Sequence, residues 1–319
     1  MINSTSFHPS LLMLTFGEMA EIRYFYSMIT LVGFLVILLS NCAVISIVGF
    51  HKSLHEPMYI FISALCLNGL YGSSAFFPSL FVNLVSNIQT ISYIGCVTQV
   101  FCIHTYMGSE LTILAVMAYD RYLCICNPLR YNHIMSFTMV VKLIIAAWLY
   151  AIIPFLVHFT LTIRLPLCDS VILKIYCDNW SVARLSCIDT TVNNIFGLFI
   201  TAAVIVLLPV LILFSYIKIL KVCVKSSKDF RAKAMKTCSP HLVTIANFVI
   251  NVLFEILIHR FPPPNIPYEL RMVISVQFLV IPPILNPLIY GYKTRDIRVK
   301  LMQSFFSKTI PSSRASWLT

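Results

Sequence analysis

The chain has 319 residues, 59% of them hydrophobic and 11% charged, with a mean hydropathy of +0.86. Soluble globular chains carry roughly 25% charged residues, so this composition excludes an ordinary soluble domain and points to lipid as the solvent. The formal charge of +11 does not indicate a nucleic-acid partner, because the basic residues gather in a few short segments rather than across a soluble face.

Met1 to Ser10 has neither a basic n-region nor an apolar h-region, so the first apolar run is expected to be an uncleaved anchor. A helix needs about 20 apolar residues to cross the hydrocarbon core. Seven runs qualify: Tyr24–Phe50, Pro57–Leu84, Gly95–Leu123, Met139–Thr160, Val192–Leu220, Ala234–His259 and Leu270–Tyr292. Prolines inside them, such as Pro78, Pro154, Pro209 and Pro287, are tolerated in membranes because neighbouring groups re-satisfy the freed carbonyls. After the seventh run Ile297, Leu301 and Phe305 recur at i+4 beside Arg298 and Lys300, which reads as a short amphipathic helix on the inner leaflet. No cysteine follows Tyr290, so palmitoylation of this tail is not expected.

Seventeen of the 23 Lys and Arg follow runs one, three, five and seven, with the adjoining helix ends; six lie on the other side. The positive-inside rule then puts the N-terminus outside and the C-terminus in the cytoplasm. Both glycosylation sequons, at Asn3 and Asn179, fall outside. The expected organisation is an all-α membrane protein, a seven-transmembrane helix bundle. Residues 1–23 form the extracellular N-terminus, 24–292 the bundle, and 293–319 a cytoplasmic tail with its amphipathic helix. The longest connection, Leu161–Thr191, carries Cys168, Cys177 and Cys187, and Cys96 opens the third run. Four outer cysteines allow three pairings, and spacing does not choose among them.

The sharpest motif is Met117-Ala118-Tyr119-Asp120-Arg121-Tyr122 at the inner end of the third run, an Asp-Arg pair that is costly beside lipid unless used or paired. It is followed by Cys126-Asn127-Pro128-Leu129-Arg130-Tyr131. Leu54-His55-Glu56-Pro57-Met58-Tyr59 opens the second run, and Ser215-Tyr216 lies near the end of the fifth. Lys233 to Leu242, KAMKTCSPHL, opens the sixth, and Pro283 to Tyr290, PILNPLIY, closes the seventh. Together with Asn41 and Trp148, these strings in this order resemble the odorant-receptor family of rhodopsin-like G-protein-coupled receptors over nearly the whole chain. His259-Arg260-Phe261 is similar to the class I, fish-like type.

The resemblance implies the following roles. Arg121 is held by Asp120 at rest and becomes available to a Gα subunit when the sixth helix swings outward, with Tyr122, Tyr216 and Tyr290 packing around the opened cavity. It pairs Cys96 with Cys177 and Cys168 with Cys187, fixing the long loop as a lid. Two positions depart from the family pattern. Gly69 stands where most members have an Asp, and Val249 where a Tyr is usual. Glu110, the other acid of that buried site, is then expected either to be protonated and hydrogen-bonded or to hold sodium.

A ligand pocket is expected near the outer face. Its third-helix wall would be Ile103, His104, Met107 and Gly108, and its sixth-helix wall Val252, Leu253, Ile256 and Arg260. His104 is either a ligand donor or a core histidine. Arg260 is either a bidentate receiver of a ligand carboxylate or a solvated loop-end arginine. Glu255 could pair with Arg260 or Lys174.

No nucleotide loop, metal cluster or nucleophile–base spacing is present, so neither an enzyme nor a cofactor is expected. Seven runs without internal symmetry speak against a transporter. Ile103 stands where an amine receptor of this fold carries an Asp. The expected function is therefore a plasma-membrane receptor for a small, water-soluble, acidic odorant that acts through a stimulatory heterotrimeric G protein to raise cAMP. The alternative is a related receptor for a non-odorant metabolite.

Overall fold

The computed structural model describes residues 9–16, 22–260, 267–293 and 295–306; for 259, 260, 268, 269, 292, 293, 295 and 304–306 the description covers the backbone alone. Asn3 lies outside the described residues. In chain order the elements are β1 (Leu11–Leu14), α1 (Arg23–Phe50), α2 (Pro57–Val85), β2 (Thr90–Ser92), α3 (Tyr93–Cys126) and α4 (Pro128–Ile134). They continue with α5 (Phe137–Ile163), β3 (Val171–Ile172), α6 (Asn179–Ala183), α7 (Thr191–Ala202), α8 (Leu208–Lys225), α9 (Lys228–Arg260), α10 (Tyr268–Lys293) and α11 (Arg295–Phe306). Among the described residues seven helices are long and apolar enough to cross a membrane, α7 and α8 counting as one joined by a π-helical segment, Ala203–Leu207. The two ends of the bundle are called outer and inner after the charge asymmetry above.

The spans run longer than the apolar stretches because a helix does not stop where lipid stops. The 34 residues of α3 measure about 50 Å against a hydrocarbon core of about 30 Å. For the same reason α9 begins at Lys228 rather than Ala234: Arg231, Ala232, Lys233 and Met235 are good helix formers, and the Ser227 hydroxyl accepts the Phe230 N–H at its start. The π segment precedes Pro209, which has no N–H to return to the carbonyl of residue 205, so the hydrogen-bond register slips there.

Inside the bundle, polar side chains tie neighbouring helices where water is absent. Asn41 Nδ2 donates to Ile37 O and Pro283 O, both at 2.8 Å, joining α1 to α10. Tyr106 OH donates to Phe278 O at 3.0 Å, joining α3 to α10. Thr112 Oγ1 donates to Ala147 O at 2.9 Å, joining α3 to α5, and Tyr71 packs edge-on against Trp148. Close approach of α2 to α3 requires Gly72, whose missing Cβ would lie 2.5 Å from the Tyr106 ring.

The outer end is closed by features absent from the helical reading. β1 lies between β2, antiparallel, and β3, parallel, and buries Leu12 and Leu14. Cys96 is bonded to Cys177 and Cys168 to Cys187. At the inner end Tyr59 OH donates to Asp296 Oδ2 at 2.7 Å, fastening α11 to α2, and Ile297 is buried while Arg298 is exposed, as an amphipathic surface helix requires.

The Cys96–Cys177 bond spans 81 residues of chain, a closure that typically contributes about 2–4 kcal/mol. Cys96→Ser and Cys177→Ser should each block delivery to the cell surface, measured by surface biotinylation, with the double variant no worse than either alone. A clearly worse double variant would contradict the pairing.

Candidate ligand cavity and coupling site

The outer half of the bundle contains a cavity of about 170 Å³ beneath the long loop. Ile103, His104, Met107 and Gly108 of α3 line it, facing Phe155 and His158 of α5, Thr201, Val204 and Ile205 of the fifth span, and Phe278 of α10. Glycine at position 108 is needed for packing, since a Cβ there would lie 2.9 Å from that of Ala151. His104 Nδ1 donates to the Val100 carbonyl at 2.9 Å, and its ring stacks on Phe155 with centroids 4.7 Å apart. In the neutral ring this leaves Nε2 as an acceptor, on a residue of the cavity wall. His104 is thus held by its own helix and one aromatic neighbour while reaching the cavity.

The sixth-helix wall differs from expectation. Ile256 lines the cavity, but Val252 is fully buried in the packed core and Leu253 is 40% exposed on the outer surface of the bundle. The helix is rotated slightly from the expected stripe, and Glu255 is the residue that joins Ile256 on the wall. Arg260 ends α9, and its side chain lies outside the described residues.

Glu255 is nevertheless well served. Lys174 Nζ, from the long loop, donates to Glu255 Oε1 at 2.5 Å and also to Asp178 Oδ2. Tyr176 OH contacts Glu255 Oε1 at 3.0 Å and the Ser275 carbonyl of α10 at 3.1 Å. Lys174 is 3% exposed, so burial opposes its charge; Asp178 and Glu255 outweigh that penalty and raise its pKa above the ordinary lysine value. Burial, with Glu255 and Asp178 nearby, pushes the Tyr176 hydroxyl well above its usual range.

Asn179 requires a correction. It is 4% exposed, its amide contacts His158 Nε2 at 3.1 Å, and it lies in the cavity wall at the start of α6. The sequon was expected on a solvent-facing loop, and in the folded chain its amide is buried instead.

Glu110 is fully buried midway along α3. Asn68 Nδ2 donates to one carboxyl oxygen at 2.7 Å and Asn286 Nδ2 to the other at 2.6 Å. Both oxygens therefore face N–H donors, and Gly69 brings no second carboxylate. This arrangement gives both carboxyl oxygens a hydrogen-bond donor, while the oxygens of the same two amides and of Ser109 are buried without a hydrogen-bond partner. Asn68, one residue before the departure at Gly69, is a partner that the motif does not signal.

At the inner end of α3, Asp120 Oδ2 accepts from Arg121 Nε at 3.0 Å and Nη2 at 2.5 Å, and Asp120 Oδ1 accepts from Tyr131 OH at 2.8 Å. Arg121 is therefore held by its neighbour. Tyr216 OH lies 2.5 Å from His241 Nδ1, joining α8 to α9. Tyr122 packs against a small inner cluster of Ile125, Ile219, Cys223, Ala234 and Cys238, and Tyr290 is buried nearby in the main core. His241 stood within the quoted Lys233–Leu242 string without a role; its bond to Tyr216 supplies one. The tyrosine–histidine bond and the apolar cluster tie α3, α8 and α9 together at the inner end.

A family model described as olfactory receptor matches residues 29–308. Human Olfactory receptor 52D1 is 35% identical over 272 residues, 85% of this chain and 86% of its own length. Human Olfactory receptor 51E1 is 35% identical over 282 residues, 86% of this chain and 87% of its own. Human Olfactory receptor 52N5 is 32% identical over 305 residues, 93% of each. Proteins of this kind are multi-pass plasma-membrane receptors that take small-molecule ligands and couple to G proteins, and they are not enzymes. With the motifs, the seven spans and these matches over most of its length, the chain belongs to the olfactory receptor family.

Proposed function

We propose that the chain binds a small odorant in the cavity beneath the long loop and activates a stimulatory heterotrimeric G protein, raising cAMP. The observation that carries this reading is that one unbroken helix, α3, lines the cavity at Ile103 to Gly108 and holds the closed Asp120–Arg121 pair at its other end. Ile103 and Arg121 are about 27 Å apart along the helix axis. A shift of α3 or of its neighbours at the cavity therefore bears on the residues that would meet Gα. The N-terminus lies outside: the basic residues collect at the opposite end, and the disulfides belong to an oxidising compartment. The Lys218–Lys236 stretch adds attraction to anionic inner-leaflet lipid, about 1 kcal/mol per Lys or Arg near the surface.

The ligand is a small molecule whose hydrocarbon part is buried by Ile103, Met107 and Ile256. An acidic group on it is received by Arg260 at the outer end of α9, because a buried carboxylate needs a cation. Arg260→Ala should then weaken response to a short-chain acid by about 2 kcal/mol, roughly thirtyfold in half-maximal concentration, while the matching methyl ester loses little. Equal losses would make Arg260 structural.

Coupling is tested separately. In cells challenged with an odorant panel, Arg121→Ala should abolish evoked cAMP while surface expression stays near normal. Undiminished signalling at equal expression would overturn the assigned coupling.

A further inference from the structure

The most heavily charged buried cluster in the outer half of the described structure belongs to none of the motifs that identify the family. Lys174, Asp178 and Glu255 are 3%, 8% and 9% exposed. They come from two distant segments, the long loop and α9, and Tyr176 OH extends the cluster to the Ser275 carbonyl of α10. Three parts of the outer bundle therefore meet at one point: the loop that covers the cavity, the sixth span and the seventh span. Glu255 and Asp178 are also cavity-wall residues. A group entering the cavity thus reaches the two carboxylates that share the lysine.

Burying charges is expensive, and an ion group of this kind is weak evidence of stability in itself; its attested use is to select one arrangement over others. Here the arrangement selected is visible at the other end of the same helix. In the structure that contains the Lys174–Glu255 contact, α9 is also joined to α8 through His241 and Tyr216, Cys238 is buried in the inner cluster, and Arg121 is paired with Asp120. Glu255 and Cys238 are seventeen positions apart on one helix, about 26 Å. A tether on the outer part of α9 therefore limits how far its inner end can move.

We propose that Lys174, Glu255 and Asp178 form a clasp that holds α9 against the long loop in the resting state, and that ligand in the cavity activates by loosening it. The clasp is a contact of the resting arrangement, so weakening it shifts the population toward the open one. This inference rests on the receptor reading only for its G-protein readout.

The test uses the full-length chain in cell membranes without added ligand. Glu255→Gln keeps the side-chain shape and removes the charge; Lys174→Met removes the cation. Each should raise basal cAMP, normalised to surface amount, at least roughly fivefold, a typical lower bound for coupled sites. Each should also speed maleimide labelling of Cys238, read by mass spectrometry, because the inner cluster opens as α9 moves. The exchange Lys174→Glu/Glu255→Lys keeps the same charges and should bring both readouts back toward wild type. Unchanged Cys238 labelling in variants that reach the surface overturns the clasp. So does an exchange variant no closer to wild type than the single variants. If the single variants fail to reach the surface, Glu255→Asp, which keeps the charge and shortens its reach to Lys174, takes their place, and wild-type labelling and basal cAMP in that variant overturn the switch. Faster labelling without a rise in cAMP leaves the clasp standing and counts against the assigned G protein.

Discussion

Hydrogen-bonding groups placed beyond the reach of water have to find partners within the chain, and the rest of this structure follows from that constraint. It turns the backbone into helices, whose N–H and C=O groups are satisfied within each segment. It then acts a second time on side chains. Asn41 reaches the Pro283 carbonyl, Tyr106 the Phe278 carbonyl and Thr112 the Ala147 carbonyl, each at or below 3.0 Å. In water such bonds would exchange freely with solvent. In the bundle their partners are fixed, and they set which helix face meets which.

The same logic gives the charged residues their positions. Glu110, Asp120, Lys174 and Glu255 are all buried, and each has a specific partner. They fall into three layers: a clasp at the outer end, an amide-held carboxyl at mid-depth and a carboxylate–guanidinium pair at the inner end. α3 supplies the lower two, and α9 reaches from the clasp to the inner cluster. Apolar packing fills the space between these layers but has less directional preference. The discrete polar contacts are therefore the natural places for alternative arrangements to differ.

Much of this was legible in the sequence, and the parts that were not share a cause. The seven spans follow from apolar run length, which is a local property, and their centres agree with the structure. Their ends do not, because α9 begins at Lys228 on helix propensity, before the apolar run that starts at Ala234. The disulfide pairing came from family likeness and agrees with the structure. The clasp was half visible: Glu255 had two candidate partners, and only folding brings Lys174 to it across 81 residues. Asn68 was hidden behind the absent acid at position 69, since nothing in the string Leu67-Asn68-Gly69 says that the amide rather than the next position faces Glu110. Leu253 was assigned to the cavity because a helical stripe fixes spacing but not absolute rotation. Asn179 has the sequon of an exposed loop and the burial of a core residue, a difference that depends on how the disulfide-bonded loop folds back over the bundle.

The small outer sheet imposes an order on how the chain can be assembled. β1 is near the beginning of the polypeptide, yet Thr15 Oγ1 bonds to the carbonyl of Ile172, 157 residues later. At ordinary synthesis rates of about 5–20 residues per second, β3 emerges roughly 8–30 s after β1. During that interval the first strand lacks its parallel neighbour, which leaves unpaired backbone groups and the apolar side chains of Leu12 and Leu14 uncovered. The first strand is thus made well before the sheet it belongs to can be completed. Any peptide appended to it for purification or detection is held beside an unfinished sheet edge until four spans have been inserted.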